Sequence, residues 1–447
     1  MNDTTFIKKK SDNRKLTVED FFFLKVGAMW RYFKSEHPSF WFICAYLFFE
    51  YTRPQAIFPV IDFMPWAQLL LMASLGFAFL DKSVQWVSSP INKLMIIFGL
   101  LIYLSSLHAY DSSVSQQYFI NFYGWLVIYF LIITIVNTKE RLYIFTLIFV
   151  FSAAKIAVGT TLVWASRGFV FATWGLEGPE GYFKNSGELT ILMLTLFPVV
   201  FFLLTRVDIK IKWTEKAIIA LFSACAALTI LGASSRGSQL ALAIILLFMF
   251  RKQVLRIKPI IGLAIIVFAA YKFLPQEQVA RFQSAGEDET SIQRLLYWKN
   301  GMKMIQDHPL TGVGFYNFPS YYNNHYSHDL VGRNRAQLPH NILIQVGTDM
   351  GYPGLIVFMG FFWFAFRKNP KIENPTPSEQ VVLQINWAIL YGAAGFFIAG
   401  QFVTVAYYPF LWIALAFNIA IKNIFARKAK QQRKDPFAAP LEAKNDG

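Results

Sequence analysis

The sequence predicts an all-α membrane protein that crosses the bilayer many times, and three observations support that class. Of the 447 residues, 55% are hydrophobic and only 15% are charged, so the chain is more apolar than a typical soluble domain. The apolar residues come in blocks of roughly 16 to 25, the length of helix that crosses a hydrocarbon core of about 30 Å. Lys and Arg lie between these blocks with a regular sidedness.

The apolar blocks give about twelve candidate transmembrane helices. They divide the chain into a basic leader (1–38), nine spans (39–273), a long polar loop (274–340), three further spans (341–425) and a basic tail (426–447). The candidate spans lie near residues 39–52, 65–80, 91–108, 119–137, 142–163, 187–205, 216–233, 236–250, 257–273, 341–366, 381–403 and 407–425.

The positive charges predict an orientation. The net charge is +15, and Lys and Arg gather in clusters between the spans. Counting spans puts every cluster on one side of the membrane, which the positive-inside rule makes the cytoplasm. Both termini are then cytoplasmic, and no nucleic-acid partner is needed to explain the charge. The clusters lie at Lys8–Lys10, Lys82 and Lys93, Lys139 and Arg141, Arg206–Lys216, Arg251–Lys258, Arg367–Lys371 and Lys422–Lys434.

The leader contains a predicted helix of its own. Thr17 and Asp20 can form a capping box ahead of FFFLKVGAMWRYF, which mixes aromatic residues with Lys25 and Arg31. This composition predicts a helix lying on the inner leaflet, and a disordered leader is the alternative.

The polar loop over 274–340 is longer than a simple connection, and part of it has helical periodicity. In TSIQRLLYWKNGMKMIQDHPL, apolar residues recur at helical spacing, and Thr290 or Ser291 can cap the start. Pro309 and Gly312 end the pattern. We therefore expect a small helical cap lying over the outer face of the membrane.

Arg236, in ASSRGSQLAL, stands at the predicted outer end of a span, two residues after a possible Ser cap. A helix N-terminus carries partial positive charge, which disfavours a cation and favours an anion. An arginine there is explained if it shares an anionic ligand with the backbone amides. The alternative is an arginine that reaches the interface and orients the helix.

Arg294 lies in the predicted loop helix, and Arg281, Arg333 and Arg335 lie elsewhere in the same loop. The planar guanidinium group suits phosphate because it donates two parallel charge-assisted hydrogen bonds. Each of these residues is, by itself, equally consistent with an ordinary surface arginine.

His340 lies in Pro339-His340-Asn341, where the loop meets the next span, and we expect it in the first turn of that helix. The helix dipole there disfavours the imidazolium, so the ring stays neutral and can act as a general base. The alternative is a histidine held by hydrogen bonds in an interfacial aromatic belt.

Metal and nucleotide chemistry have little support in the sequence. His325 and His328 have spacing compatible with two zinc ligands, but HxxH in a Tyr- and Asn-rich loop is a weak pattern. The chain has no phosphate-binding motif for nucleotides and no predicted cytoplasmic domain large enough to hold one. We expect no metal and no cofactor.

A transporter is the rival class, because transporters place charges inside the membrane. The candidates here are few, namely Glu50, Lys155 and Glu188, and the two halves show no internal repeat. Polar residues concentrate instead at the outer face, which favours an enzyme that acts there on a lipid-carried substrate.

Two stretches, SIQRLLYWKNGMKMIQDHPLTGVGFYNF and PHNILIQVGTDMGYPGLI, resemble the signature region of the O-antigen ligase and O-antigen polymerase family. The upstream SSRG is similar to the arginine element of that family. EYTRPQAIFPVIDFMPW is similar to the branch found with exopolysaccharide clusters. The matching positions are Arg294, Trp298, His308–Phe318, Pro339–Asn341, Gly351 and Gly354.

The resemblance implies a metal-independent, inverting glycosyltransferase of the GT-C-like class in the bacterial inner membrane, with its active site facing the periplasm. The donor would be a glycan on undecaprenyl pyrophosphate. By the same resemblance, His340 would deprotonate the acceptor hydroxyl, and Arg236 and Arg294 would bind the pyrophosphate. Asn341 would be a secondary contact.

Several alternatives stay open at this point. The acceptor can be a lipid-linked repeat, a lipid A core or a protein, and a glycolipid transporter without enzymatic activity is the remaining class. The first outer loop departs from the family where Gly187 and Glu188 replace an expected Asn, so Glu188 is only a possible contact. Tyrosines of the polar loop can stack on sugar rings or form an aromatic belt; they are Tyr316, Tyr321, Tyr322 and Tyr326.

Overall fold

The computed structural model describes residues 16–170, 175–207, 209–251, 288–332 and 334–434. Within these ranges the chain forms α-helices and short 3₁₀ turns and no β-strand, which confirms the predicted all-α class. The α-helices are α1 (Val26–Ser35), α2 (Pro38–Thr52), α3 (Pro54–Ile57), α4 (Trp66–Ala78), α5 (Pro90–Leu107), α6 (Ser112–Ile135), α7 (Lys139–Ser166), α8 (Ser186–Thr205), α9 (Trp213–Gly232), α10 (Arg236–Met249), α11 (Glu289–Asp307), α12 (Phe318–His325), α13 (Ile342–Phe366), α14 (Pro377–Ala399) and α15 (Pro409–Lys434).

Most of the bundle consists of helices long and apolar enough to cross a membrane. The described ranges contain eight of them: α5, α6, α7, α8, α9, α13, α14 and the Pro409–Ala429 part of α15. The helices α4 and α10 are apolar but shorter, and the predicted first span forms the 15-residue α2. The predicted span near 257–273 lies outside the described residues. The polytopic membrane class is therefore confirmed.

The centre of the bundle is formed by α8, which packs against both α9 and α14. The short helix α10 packs on α14, while α13 packs on α5 and α15 packs on α6. The loop helix α11 rests on α13. The predicted helical cap is therefore seated directly on a membrane-spanning helix.

The described part of the leader is folded onto the bundle. The capping box of Thr17 and Asp20 is present, but it starts a 3₁₀ turn over Val18–Phe21. The predicted helix begins later, at Val26, as α1. Phe21 and Phe23 are fully buried, and the Phe23 N–H donates to the Tyr143 hydroxyl at 2.8 Å. The disordered alternative is therefore wrong from Thr17 onward, and residues 1–15 lie outside the described ranges.

The helix α13 is broken at Gly351, whose φ of 65° and ψ of −160° are non-helical. The HPLTGVG turn fills this break. The Val313 N–H donates to the Thr348 carbonyl at 2.7 Å, and the Tyr352 N–H donates to the Pro309 carbonyl at 2.8 Å. Backbone groups that the break takes out of the helix therefore find partners in the turn, as buried polar groups must. This contact ties α11 to α13.

We expect Gly351→Ala to prevent stable folding. The backbone there lies in a region that only glycine adopts readily, at a cost of about 1–3 kcal/mol for other residues. An added Cβ would also sit 2.3 Å from the Pro309 carbonyl oxygen. Monodisperse yield in detergent measures the effect. Gly159→Ala is the control, because it adds a methyl group to α7 where no atom lies within 4 Å. Equal yields of the two variants would contradict the role given to Gly351.

Candidate functional site

The His340 backbone is fixed just before α13. The helix begins at Ile342 and is capped by Asn341, whose side-chain oxygen accepts from the N–H groups of Leu343 and Ile344 at 2.8 and 3.0 Å. The expectation that His340 lies in the first turn is therefore wrong, because the Asn341 cap starts the helix after it. His340 adopts the left-handed conformation, with φ of 52°.

Two further contacts position His340. Its backbone N–H donates to the Thr404 hydroxyl at 2.9 Å. Its ring Nε2 lies 3.3 Å from the Gln337 side-chain oxygen. The residue is half-buried, so part of its surface is accessible. A histidine held this way can meet a substrate hydroxyl without rearranging the backbone.

Arg294 is joined to the His340 segment through Trp298. The Trp298 indole N–H donates to the Pro339 carbonyl at 3.0 Å, which fixes α11 beside the residue that precedes His340. Arg294 lies one helical turn earlier, so it shares a face of α11 with Trp298. Its side chain is half-buried.

Arg236 is joined to the other end of α11. It is the first residue of α10, directly after the N-cap Ser235 and so one residue nearer the cap than expected. Its Nη2 donates to Asp288 Oδ2 at 3.2 Å. Asp288 also caps α11, accepting from the Ser291 N–H and hydroxyl at 3.0 and 2.7 Å. The prediction that Thr290 or Ser291 caps the helix is wrong. Asp288 is the N-cap, and its carboxylate accepts both Ser291 donors.

The charge state of Asp288 follows from these bonds. Partial burial raises the pKa of the carboxyl, but the hydrogen bonds from Ser291 and Arg236 outweigh it and leave the pKa below its usual value. Asp288 therefore stays ionised at neutral pH and is a lasting anionic partner for Arg236.

We expect Asp288→Ala to destabilise the outer cap by about 0.5–2 kcal/mol through loss of the helix cap. Asp288→Asn should keep most of the stability, because Asn also caps helices well. Thermal aggregation midpoints in detergent compare the three proteins. The folded-state pKa is depressed, so the carboxylate's contribution is present at neutral pH and is lost only as pH falls below about 4. A difference between wild type and Asp288→Ala that vanishes at pH 6 would contradict this account.

One connection between helices contacts the start of α10, the helix α11 and the His340 segment. It is the connection of residues 400–408 between α14 and α15, named the outer connection because the charge clusters predict that this end faces outward. A Cβ on Gly237 would meet the Phe402 ring at 2.5 Å, so the start of α10 packs directly on it. The Phe402 and Trp298 rings lie 6.3 Å apart between centroids. Thr404 accepts the His340 N–H. The connection therefore gathers Arg236, the Arg294 face of α11 and His340 into one region.

Sequence reasoning missed this connection. The predicted span over 381–403 covered its first half, whereas α14 ends at Ala399. The available signal was the polar pair Gln401 and Thr404 between two apolar spans. The Asn341 side chain also contacts this connection, because its nitrogen donates to the Gln401 side-chain oxygen at 3.2 Å.

Glu188 approaches the same connection from α8. It is buried, and the Asn185 side chain donates to it at 3.2 Å. The Tyr408 hydroxyl also bonds to it. Burial and the nearby carboxylate both raise the pKa of Tyr408, which keeps that hydroxyl a donor. Glu188 is thus linked to the outer connection, although its partner is Tyr408 rather than His340.

The remaining candidates are placed differently. Arg335 is exposed on the surface of the loop. Arg281 and Arg333 lie outside the described residues. Tyr322 is fully buried in a small core between α11 and α12, so the interpretation that it stacks on a sugar ring is wrong. Tyr316 stacks on Tyr118 with centroids 4.3 Å apart. Among the described residues, no three His, Cys, Asp or Glu side chains are grouped as metal ligands would be.

Comparison with known protein families gives one finding. Residues 221–359 match the family model described as O-antigen ligase. The matched stretch contains Arg236, Arg294 and His340, and it ends within α13. Over these residues the match supports the resemblance predicted from the PHN and HPLTGVG motifs. No curated protein matches the chain.

Proposed function

We propose that this chain, which carries the O-antigen ligase domain over residues 221–359, transfers a glycan from undecaprenyl pyrophosphate to a sugar hydroxyl. The observation that carries the proposal is the convergence of His340, Arg294 and Arg236 on the outer connection within or beside that domain. A base and two arginines at one place are what displacement of a pyrophosphate requires.

His340 is the proposed base. The acceptor oxygen attacks the anomeric carbon of the donor sugar while its proton passes to the imidazole. The bond from that carbon to the pyrophosphate oxygen breaks, and the electron pair leaves with undecaprenyl pyrophosphate. A single displacement of this kind inverts the anomeric centre. The left-handed conformation and the bond from the His340 N–H to Thr404 hold the backbone in place, and the contact with Gln337 orients the ring.

Arg236 and Arg294 are the proposed pyrophosphate-binding pair. The leaving group gains negative charge as the bond breaks, and arginines held in place beforehand stabilise that charge at no cost in reorganisation. Asp288 holds Arg236 at the start of α11, and Trp298 anchors the helix that carries Arg294. The two positive groups are thus oriented by contacts made before any substrate binds.

The site is proposed to face the periplasm of a bacterial inner membrane. The support is the sidedness of the Lys and Arg clusters, which leaves the 274–340 loop on the side opposite the charges. A lipid-linked substrate would reach the site through the bilayer, and the acceptor would meet it at the outer face.

A product assay tests the function. Purified protein in liposomes receives undecaprenyl-pyrophosphate-linked repeat units, with or without a lipid A core acceptor. A ladder of growing glycan without added acceptor identifies a polymerase, and product that requires the core identifies a ligase. Transfer only to an added protein acceptor identifies an oligosaccharyltransferase. Movement of the glycolipid across the bilayer without bond formation identifies a transporter and overturns the proposal.

A further inference from the structure

An apolar groove runs along the bundle between α2 and α7. It encloses about 340 Å³, within the roughly 300–1,000 Å³ that ligand sites occupy. Phe48 on α2 and Ile144, Ile148 and Phe151 on α7 form its walls. None of His340, Arg236 and Arg294 lines it, so it is separate from the site above.

One end of the groove is polar. The Lys155 ammonium is exposed there and donates to the Thr52 carbonyl at 3.0 Å. The Thr52 hydroxyl donates to the Ser152 hydroxyl at 2.8 Å. No carboxylate in the described part of the chain forms an ion pair with Lys155, although an ammonium group can donate three hydrogen bonds. A lysine facing the lipid within a span is costly, and such residues mark functional sites.

The groove lies deep in the predicted membrane. The helix α7 begins at Lys139, in a predicted cytoplasmic charge cluster. At 1.5 Å per residue, Ile144 lies about 8 Å and Lys155 about 24 Å along the helix from that point. The groove therefore crosses the middle of a hydrocarbon core of about 30 Å. From Lys155 to Ile144 the groove is about 16 Å long, which the apolar chain of a lipid can fill.

We propose that this groove binds a polyprenyl phosphate lipid, with the phosphate on Lys155 and the chain running along α2 and α7 toward Ile144. Charge complementarity places the anionic group at the lysine end, and the apolar walls accept the hydrocarbon. The choice of a polyprenyl lipid rests on the proposed function, which requires such a carrier. The groove would hold a second carrier lipid, in addition to the one at the catalytic site.

Native mass spectrometry of the full-length protein in detergent tests the proposal with undecaprenyl phosphate as the probe. Wild type should bind it, and Lys155→Met should weaken binding roughly tenfold or more because the phosphate loses its cation. Lys155→Arg should keep most of the affinity. Lys303→Met is the matched control, since it removes an exposed lysine from the outer loop helix. Ile148→Trp, which fills the groove without removing a charge, should also weaken binding.

Two outcomes would overturn the proposal. One is unchanged binding in both Lys155→Met and Ile148→Trp. The other is equal competition by phosphatidylglycerol, which would make the groove an ordinary site for lipid phosphate. The assay does not depend on catalysis, so His340→Asn should bind the probe as wild type does. Glycan transfer with no binding in the groove would leave the proposed function standing and remove the groove proposal alone.

Discussion

Replacing His340 by Ala or Asn should lower the turnover of glycan transfer by about 10²–10⁴-fold, the usual contribution of a positioned general base. Asn is the sharper of the two variants. Residue 340 has a φ of 52°, and Asn tolerates that conformation far better than most residues. His340→Asn therefore preserves the backbone and removes the base. Initial rates of lipid-linked glycan consumption in liposomes measure the loss.

The matched control is His328→Ala. Its side chain is 73% exposed in the same outer loop, so its removal should leave the rate unchanged. Full activity in His340→Asn would eliminate the role of His340 as the base.

The second large effect is expected at the arginines. Arg294→Ala and Arg236→Ala should each lower kcat by about 10²–10³-fold, as loss of a preorganised charge-stabilising group does. Arg294→Lys should recover only part of the rate, because a lysine keeps the charge and loses the two parallel hydrogen bonds. Product inhibition separates binding from folding. The affinity for undecaprenyl pyrophosphate should fall much more than that for undecaprenyl phosphate.

Lys303→Ala is the control for this series, since it removes an exposed cation from the same helix α11. If this variant loses as much activity as Arg294→Ala, the loss of activity comes from lowering the total positive charge of the outer face. The specific pyrophosphate role would then be contradicted.

The amino-acid pattern predicts the helices well because their length is fixed by the bilayer. The predicted spans near 91–108, 187–205 and 341–366 differ by only one residue at either end from α5, α8 and α13. Apolar periodicity and flanking charge are local properties, so the sequence carries them directly. The prediction of α11 from its periodicity succeeds for the same reason.

The sequence did not predict features that depend on distant contacts. The break at Gly351 is stabilised by the Pro309 turn, which is more than forty residues away in the chain. Two glycine motifs so far apart in the sequence do not reveal that they meet. The outer connection was assigned partly to a span because Phe402 and Val403 are apolar. Its role arises from packing against Gly237 and Trp298, which only the fold brings near.

The candidate residues also divide into properties that the local sequence predicts and contacts that only the fold creates. The chemical types of His340, Arg236 and Arg294 follow from the sequence, whereas their convergence depends on Asp288, Trp298 and Thr404. None of these three positioning contacts has a signature in residue spacing, because each joins separate elements. Tyr322 shows the opposite case, in which a residue suited to a sugar site is used for the core of the outer cap.

The central claim is that the three residues gathered at the outer connection catalyse displacement of a pyrophosphate carrier. Release of free undecaprenyl pyrophosphate by the purified protein in liposomes, with no nucleotide sugar present, tests it most directly. The account predicts one carrier released for each new glycosidic bond in wild type and release near background in His340→Asn. Glycan joined without release of carrier, or equal release by both proteins, would contradict it.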